Sequence, residues 1–596
     1  MKLVCLIKQV PHPEAIEFDE GTKTLKREGV PLQLSLFDRW AVQQAVSLRA
    51  QVGGEVVVMT MGPPQAEEAL RETIALGADR CIHLSDRLFA VADTIGTSRT
   101  LALALKKEEA DLVLCGRKTL DAETWQVPPE VAAFLGWPVL TSVSELAIGD
   151  GRVHATRETD EGEDVYEVEL PAVLSIARPP TEGASGISSE PAPGRIELWT
   201  ANDLVPDAQP NDKRFGQTGS PTRVLAVRDA TPKRAAERAV DPADAVARTQ
   251  ARLEALETAP ATWQKPGHIA ERPGKSYDCW TAVELIAGHA TRHSLELVGK
   301  SRELAGKLGG RSVALVAGHG VAAATQDAIR HGAEVVYELD DPLLGKYHPE
   351  LQAAALRQVV ERERPHVLLI PATTNGRDYG PLLAGQLQLG MTGDCVNVDI
   401  AKAGRLLQTK PAYGGNIVSV IMGSTTPQLA TVRPRMFEPV EPRDGASAEI
   451  QRVALDQLPE PRTRLVEHRS SPASAAYRID EADLVVLVGP EVGGVEAARE
   501  IEELSERAGA AVGGTREVCA AGWLSQNRHV GLYGRPIAPR LLVTVGVPGD
   551  FEHLTGFVKA GVIVAVNENA NAAMLEAADV SLVDSWQEAL PALLQI

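Results

Sequence analysis

Two stretches of the chain hold residue types at spacings that could do chemistry. One is Leu-Leu-Val-Thr-Val-Gly-Val-Pro-Gly-Asp-Phe-Glu-His at 541–553, followed by Val-Ile-Val-Ala-Val-Asn at 562–567. An apolar, β-branched run that stops at Gly546, turns through Gly549 and enters a helical pattern reads as strand, tight turn and helix N-terminus. Exposed backbone N–H groups and the positive end of a helix dipole favour an anion there, such as a phosphate. The second apolar run places another parallel strand alongside, as in nucleotide-binding α/β sheets. Glycine turns between strand and helix also occur without ligands, so this turn alone leaves binding open. The other stretch is Gly-Arg-Lys-Thr-Leu-Asp-Ala-Glu-Thr-Trp-Gln-Val-Pro-Pro at 116–129. It follows a predicted strand, at the end where open α/β sheets take ligands, and its plain alternative is a solvated loop.

The elements that must position these loops alternate in period. Short apolar runs at 3–7, 55–59, 81–84 and 111–115 predict strands, and helical periodicity covers 37–50, 64–76, 93–109 and 129–135. Alternation of this kind predicts a parallel sheet with crossover helices. Residues 153–175 read as two antiparallel strands around a charged turn at 160–164, and 195–199 as a further strand. A Pro-, Asp-, Lys- and Arg-rich segment at 203–239 is expected to be extended or wrapped on a neighbour, with a helix at 241–256 after it. Residues 258–276 have the composition of a linker. From 278 to 439 the organisation of the first segment returns: Leu-Gly-Ala-Asp-Arg at 76–80 is echoed by His-Gly-Ala-Glu-Val at 331–335, and 110–136 by 365–390. The two segments are expected to share one fold. A charged connector at 441–482 precedes the last domain, which opens with the apolar run 484–488 and contains the glycine turn.

Composition sets bounds on function. At 596 residues the chain exceeds one hydrophobic core. A formal charge of -20 excludes nucleic acid as a general partner, because a phosphate backbone would be repelled over most of the surface. The six cysteines are scattered without a C-x-x-C pair, which argues for buried small hydrophobes rather than zinc, an iron–sulfur cluster or disulfides. No apolar run approaches the ~20 residues that span a bilayer, and the opening Met-Lys-Leu-Val-Cys-Leu-Ile-Lys reads as a strand rather than a signal peptide. A cytoplasmic location, without membrane insertion, is the expectation.

Taken in order, the motifs resemble the electron transfer flavoprotein family, with a β-type subunit (about 1–257) and an α-type subunit (about 278–596) joined in one chain. The β-type signs include Met61-Gly62-Pro63, the 75–80 run Ala-Leu-Gly-Ala-Asp-Arg and the loop 121–129; the α-type signs include 340–344, Asn375-Gly376-Arg377-Asp378, 409–416, 430–434 and the tail 512–583. The resemblance implies an α/β fold: two related parallel-sheet domains of the adenine nucleotide α-hydrolase-like type, and a C-terminal Rossmann-like FAD-binding domain. The implied boundaries are a β-type AMP-binding domain at 1–200, its C-terminal arm and helix at 201–257, a linker at 258–277, an α-type N-terminal domain at 278–440, a connector at 441–482 and the FAD-binding domain at 483–596. FAD is expected on Thr515, Arg516, Gly531, Leu532, Tyr533, Gly546, Val547, Gly549, His553, Asn567 and Asp579, with Arg516 and His553 facing the flavin, the glycine turn on the pyrophosphate, and Asn567 and Asp579 on the adenosine half. AMP, in a structural role, is expected on Leu6, Ser35, Asp38, Met61, Asp121, Thr124, Gln126, Val127 and Glu130. The implied activity is that of an electron carrier rather than a self-sufficient enzyme, accepting electrons from a flavoprotein dehydrogenase and passing them to a membrane quinone oxidoreductase.

The chain departs from that pattern at chemically pointed places. A polar Gln-Thr pair of the family is here Leu532-Tyr533, the arginine-bearing glycine loop is Gly489-Pro490-Glu491, and the turn carries Pro548, Asp550 and Glu552. Carboxylates beside a pyrophosphate are expected to weaken FAD binding. The family's partner-docking leucine is missing from 179–193, where Ile187 is the apolar candidate for docking. Two alternatives stay open: a second FAD in the β-type site with electron bifurcation from NADH, and a flavin-free adenine-nucleotide-binding scaffold for a partner enzyme.

Overall fold

The computed structural model describes residues 1–12, 17–19, 24–26, 29–180, 195–229, 234–258, 277–412, 417–470, 479, 482–532, 534–554, 556–557 and 559–596. The chain forms two compact units: residues 1–227, 265–411 and 419–470 make the larger, and 228–264, 412–418 and 471–596 the smaller.

The larger unit is built on two sheets in which seven parallel strands follow one order, the first sheet being extended by the antiparallel strands Arg152–Glu158, Gly162–Glu169 and Thr463–Ser470. In the first, the order is Arg195–Trp199, Arg80–Leu84, Glu55–Met61, Lys2–Ile7, Leu112–Gly116, Ala172–Ile176 and Val139–Gly149. In the second it is Glu449–Arg452, Val335–Asp340, Ser312–Gly318, Cys279–Val283, Val367–Pro371, Gln428–Val432 and Met391–Cys395. The order is the same, so the internal repeat read from the loops extends to seven strands of each sheet. The last strand of each is kinked at its fourth residue, Ser142 at φ +57° and Asp394 at φ +60°. Central strands such as Leu112–Gly116 and Val367–Pro371 are buried along their whole length, which is why they read as continuous apolar runs.

Three segments differ from their sequence-based reading. The pair expected at 153–175 is Arg152–Glu158 with Gly162–Glu169, antiparallel, whereas Ala172–Ile176 returns to the parallel core beside Leu112–Gly116. Within the connector, Glu449–Arg452 closes one edge of the second sheet and Thr463–Ser470 pairs antiparallel with Gly162–Glu169 at the edge of the first. The Pro-rich segment after 203 supplies the strand Thr222–Asp229, which joins Ile417–Gly423, Leu406–Ala412 and Asn397–Ile400 in a separate sheet.

The smaller unit is a six-stranded parallel sheet in the order Glu237–Arg238, Val580–Leu582, Val562–Val566, Leu541–Val545, Leu484–Val488 and Ala511–Gly514. Its outermost strand comes from the arm of the first half: Glu237 N donates to Asp579 O at 3.0 Å and Ala239 N to Ser581 O at 2.8 Å. The helix Pro242–Thr258 follows, with Ala245 and Leu253 buried in a core shared with Val564, Val580 and Leu590.

Candidate functional site

Four parallel strands of the smaller unit end on one edge: Leu541–Val545 leads into Gly546, Leu484–Val488 into Gly489, Ala511–Gly514 into Thr515 and Val562–Val566 into Asn567. Backbone meets backbone at these turns. Gly549 sits at φ +92°, where a Cβ would overlap Met574 N, and a Cβ on Gly489 would overlap the Gly546 carbonyl oxygen. Any side chain there would strain the turn and push its backbone away, so the glycines are required by packing before any ligand is considered. Val547, buried in the same turn, accepts a hydrogen bond from Asn567 Nδ2 at 3.2 Å.

Asn567 is buried at the end of its strand, and its amide also donates to Glu491 Oε2 at 2.5 Å; Asn569 Nδ2 donates to Glu491 Oε1 at 3.3 Å. The negative charge that the sequence brings to this loop is therefore held by two amides. Asp550 is exposed to solvent, which screens its charge. Both arrangements soften the like-charge penalty expected beside a pyrophosphate.

Thr515 and His553 are 0 % and 4 % exposed. His553 Nε2 lies 3.3 Å from Glu517 Oε2, while His553 Nδ1 is buried with no hydrogen-bond partner among the described residues; the buried Thr515 hydroxyl is hydrogen-bonded to the Glu517 carboxylate. Leaving a buried polar atom unpaired costs about 1–3 kcal/mol, so such an atom at the carboxyl edge of a parallel sheet fits a ligand that supplies its hydrogen-bond partner. The heteroatom-rich ring of a flavin does so, and the residues present fit FAD on that ground. Arg516 opens the helix Arg516–Ala520 on the exposed side. Gly531 and Leu532 follow a stretch hydrogen-bonded to the strand end, Val530 N donating to Gly514 O at 3.0 Å, and Leu532 is buried. Tyr533 lies outside the described residues, as does Ile187.

Asp579 stands apart from this set. It precedes the strand Val580–Leu582 at the opposite, amino edge of the sheet, where its carboxylate accepts from Ile563 N at 2.9 Å and pairs with Arg234 Nη1 at 2.8 Å. Its contacts are those of a clamp on the arm. Asp584 instead follows the same strand at its carboxyl end: Val566 pairs with Leu582, Asn567 N donates to Leu582 O at 3.1 Å, and Asp584 is two residues further on. Strand polarity was the available signal, since ligand-facing residues follow a parallel strand rather than precede it.

In the first sheet, a second group of expected residues also gathers at the carboxyl edge. Leu6 is buried near the end of Lys2–Ile7, and Met61 closes Glu55–Met61. Asp38, in the helix Leu36–Val52, accepts from Lys8 N at 2.9 Å and Gly116 N at 3.0 Å, tying two strand ends together. Burial pushes the Asp38 carboxyl up to about 7 against those two donors. Burial also raises Asp121, but the Lys8 ammonium, 2.5 Å from its Oδ2, outweighs that and holds it below the usual range. Ser35, Asp121 and Trp125 make a mixed polar set suited to ribose hydroxyls and a nucleobase, with Trp125 Nε1 buried and without a hydrogen-bond partner among the described residues.

Thr124, Gln126, Val127 and Glu130 are engaged differently. Gln126 donates to Met391 O at 3.0 Å and accepts from Gly393 N at 3.1 Å, locking the loop onto the second half of the larger unit, where the Thr124 carbonyl also packs against Gly393. Glu130 accepts from Ser98 Oγ at 2.9 Å, Thr94 Oγ1 at 3.0 Å and Gln126 Nε2 at 3.1 Å, and burial raises its carboxyl to about 8. Val127 opens the helix Val127–Leu135 that carries Glu130. Trp125, at φ +61°, has Arg377 4.4 Å from its ring centroid, and Arg377 is fixed by Asp394 at 2.9 Å. Among the described residues no His, Cys, Asp and Glu group could hold a metal ion, and no helix is long and apolar enough to cross a membrane.

Comparison with known proteins agrees with this geometry. The model of the electron transfer flavoprotein domain matches residues 22–203 and again 279–458, and that of the electron transfer flavoprotein FAD-binding domain matches 478–558. The chain is 33% identical over 320 residues to electron transfer flavoprotein subunit alpha of Thermoanaerobacterium thermosaccharolyticum, an alignment covering 53% of this chain and 97% of that protein. It is 38% identical over 241 residues to subunit beta of the same organism, covering 40% of this chain and 91% of that protein. Protein FixB of Rhizobium meliloti is 32% identical over 323 residues, 53% of this chain and 92% of its own length. With the doubled sheet, the glycine turn and both subunits matched within one polypeptide, the chain belongs to the electron transfer flavoprotein family and joins a β-type and an α-type half.

Proposed function

We propose that the protein is an electron carrier whose C-terminal cleft holds FAD, accepting electrons from a flavoprotein dehydrogenase and delivering them to a membrane quinone oxidoreductase. Bound FAD supplies the redox chemistry. The chain's own part is to seat it: the turn 546–549 offers backbone N–H groups to the pyrophosphate, Asn567 and Asp584 stand on the adenosine side, and Thr515, Arg516 and His553 line the flavin side. The observation that carries this reading is His553 Nδ1, buried and without a hydrogen-bond partner among the described residues, at the carboxyl edge of the sheet. In the first half, an adenine mononucleotide such as AMP occupies the edge formed by Leu6, Ser35, Asp38, Met61 and Asp121; it has no redox-active atom and acts by stabilising the fold. Gln126 and Glu130 support that site from behind through the hydrogen bonds they already make. A cytoplasmic location goes with this role.

The test is to purify the protein under mild conditions, release its cofactors and count them per chain. One FAD and one AMP is the expected result. Two FAD without AMP would replace the mononucleotide by a second flavin and favour bifurcation. AMP alone, persisting after incubation with excess FAD, would overturn the electron-transfer reading.

A further inference from the structure

His553 is held from one side only. Its ring is buried, its Nε2 edge meets the Glu517 carboxylate at 3.3 Å, and its Nδ1 edge has no partner among the described residues. Glu517 follows Arg516 in the helix Arg516–Ala520 and is half-exposed, 49 % at the side chain. Two features make this contact a device rather than an incidental ion pair. The residues come from different crossovers of the sheet, 36 positions apart, so the contact joins the two loops that flank the flavin side of the cleft. A carboxylate can only accept, so the contact favours the ring forms that carry a hydrogen on Nε2, the Nε2–H tautomer and the imidazolium, and leaves the Nδ1 edge to the cleft.

We propose that Glu517 is a positioning residue for the flavin: by accepting the Nε2–H of His553 it fixes the imidazole's tautomer and orientation so that Nδ1 meets the flavin ring. The proposal rests on FAD occupying this cleft. A ring hydrogen-bonded on one edge is pre-oriented, and a contact to bound flavin then loses less conformational freedom than one made by a free side chain. Burial pushes the Glu517 carboxyl up, but its own backbone N–H, the adjacent Thr515 hydroxyl and His553 outweigh this and hold it below the usual range, so it stays an acceptor through neutral pH. Because the residue is half-exposed, removing it leaves no cavity in the core.

The experiment uses the full chain, reconstituted with FAD, with Glu517→Ala, Glu517→Gln, His553→Ala and the double variant Glu517→Ala/His553→Ala. Midpoint potential and visible circular dichroism of the bound flavin are read alongside the thermal melt. Glu517→Ala is expected to shift the potential and change the dichroism with the melt unchanged, and to weaken FAD binding about tenfold, the scale of one hydrogen bond to a charged group. Glu517→Gln, which keeps an acceptor oxygen, is expected to restore the wild-type dichroism. In the His553→Ala background the Glu517→Ala substitution is expected to do nothing further. A shift of equal size in that background would mean that Glu517 acts by its own charge, and no shift in either background would mean that it does not touch the flavin; each result overturns the proposal. Failure of the wild-type chain to bind FAD would instead remove the flavin assignment itself, a distinct outcome visible before any variant is made.

Discussion

At the residue scale, two aspartates five positions apart are expected to separate folding from binding. Asp579 pairs with Arg234 and caps Ile563 N at the amino edge, whereas Asp584 leaves the sheet beside Asn567. Asp579→Asn is expected to lower the melting temperature with FAD affinity retained, because it loosens the arm. Asp584→Ala is expected to weaken FAD about tenfold, one hydrogen bond's worth, with the melt unchanged. Differential scanning fluorimetry and flavin titration read the two effects, and the opposite assignment of effects would refute this partition. At Gly549 both demands meet. Gly549→Ala places a Cβ against Met574 N at φ +92°, and a loss of about 1–3 kcal/mol in denaturant unfolding, together with lost FAD binding, is the expected outcome.

At the element scale, the helix Val127–Leu135 is held through a buried carboxyl. Glu130 has its pKa raised from 4.5 to about 8, so between those values the folded protein keeps a proton that the unfolded chain has lost. The folded state binds this extra proton over that window, so the contribution of Glu130 to stability falls as pH rises from 4.5 to about 8. Asp38 adds a slope of the same sign between 3.8 and about 7. Glu130→Gln keeps the hydrogen-bonding shape without the ionisation. Denaturant unfolding at pH 5, 6.5 and 8 is therefore expected to show a flatter decline in the variant than in the wild type, by an amount of order a few kcal/mol across the window. An identical decline in both would show that this group ionises freely in the folded protein.

At the scale of the whole molecule, each half of the chain lends an edge strand to a sheet built by the other. Glu237–Arg238 extends the C-terminal sheet, and Thr463–Ser470 extends the first. Joining the halves holds them at a high effective concentration, but the strands themselves supply the contacts. A protease site placed between residues 259 and 276 should therefore, after cleavage, yield two fragments that still co-elute in size-exclusion chromatography at low protein concentration. Separation of the fragments would mean that the covalent link does the holding.

The amino-acid sequence by itself determined the alternation of strand and helix, the repeat of the first sheet in the second, the glycine turn after Leu541–Val545 and the β-type then α-type order, because apolar period, turn chemistry and motif order are local properties. The resemblance of its motifs, rather than any local period, also pointed to Asp38, Asp121, Thr515, His553 and Asn567. What it left undecided depends on residues far apart in the chain. That Gln126 reaches Met391 and Gly393, that Asp579 takes Arg234 as its partner, that Glu491 is held by Asn567 and Asn569, and that a charged connector becomes an edge strand are all settled by which backbones come side by side. Edge pairing runs through N–H and C=O groups that every residue but proline carries in full, so only the tertiary structure chooses the partner.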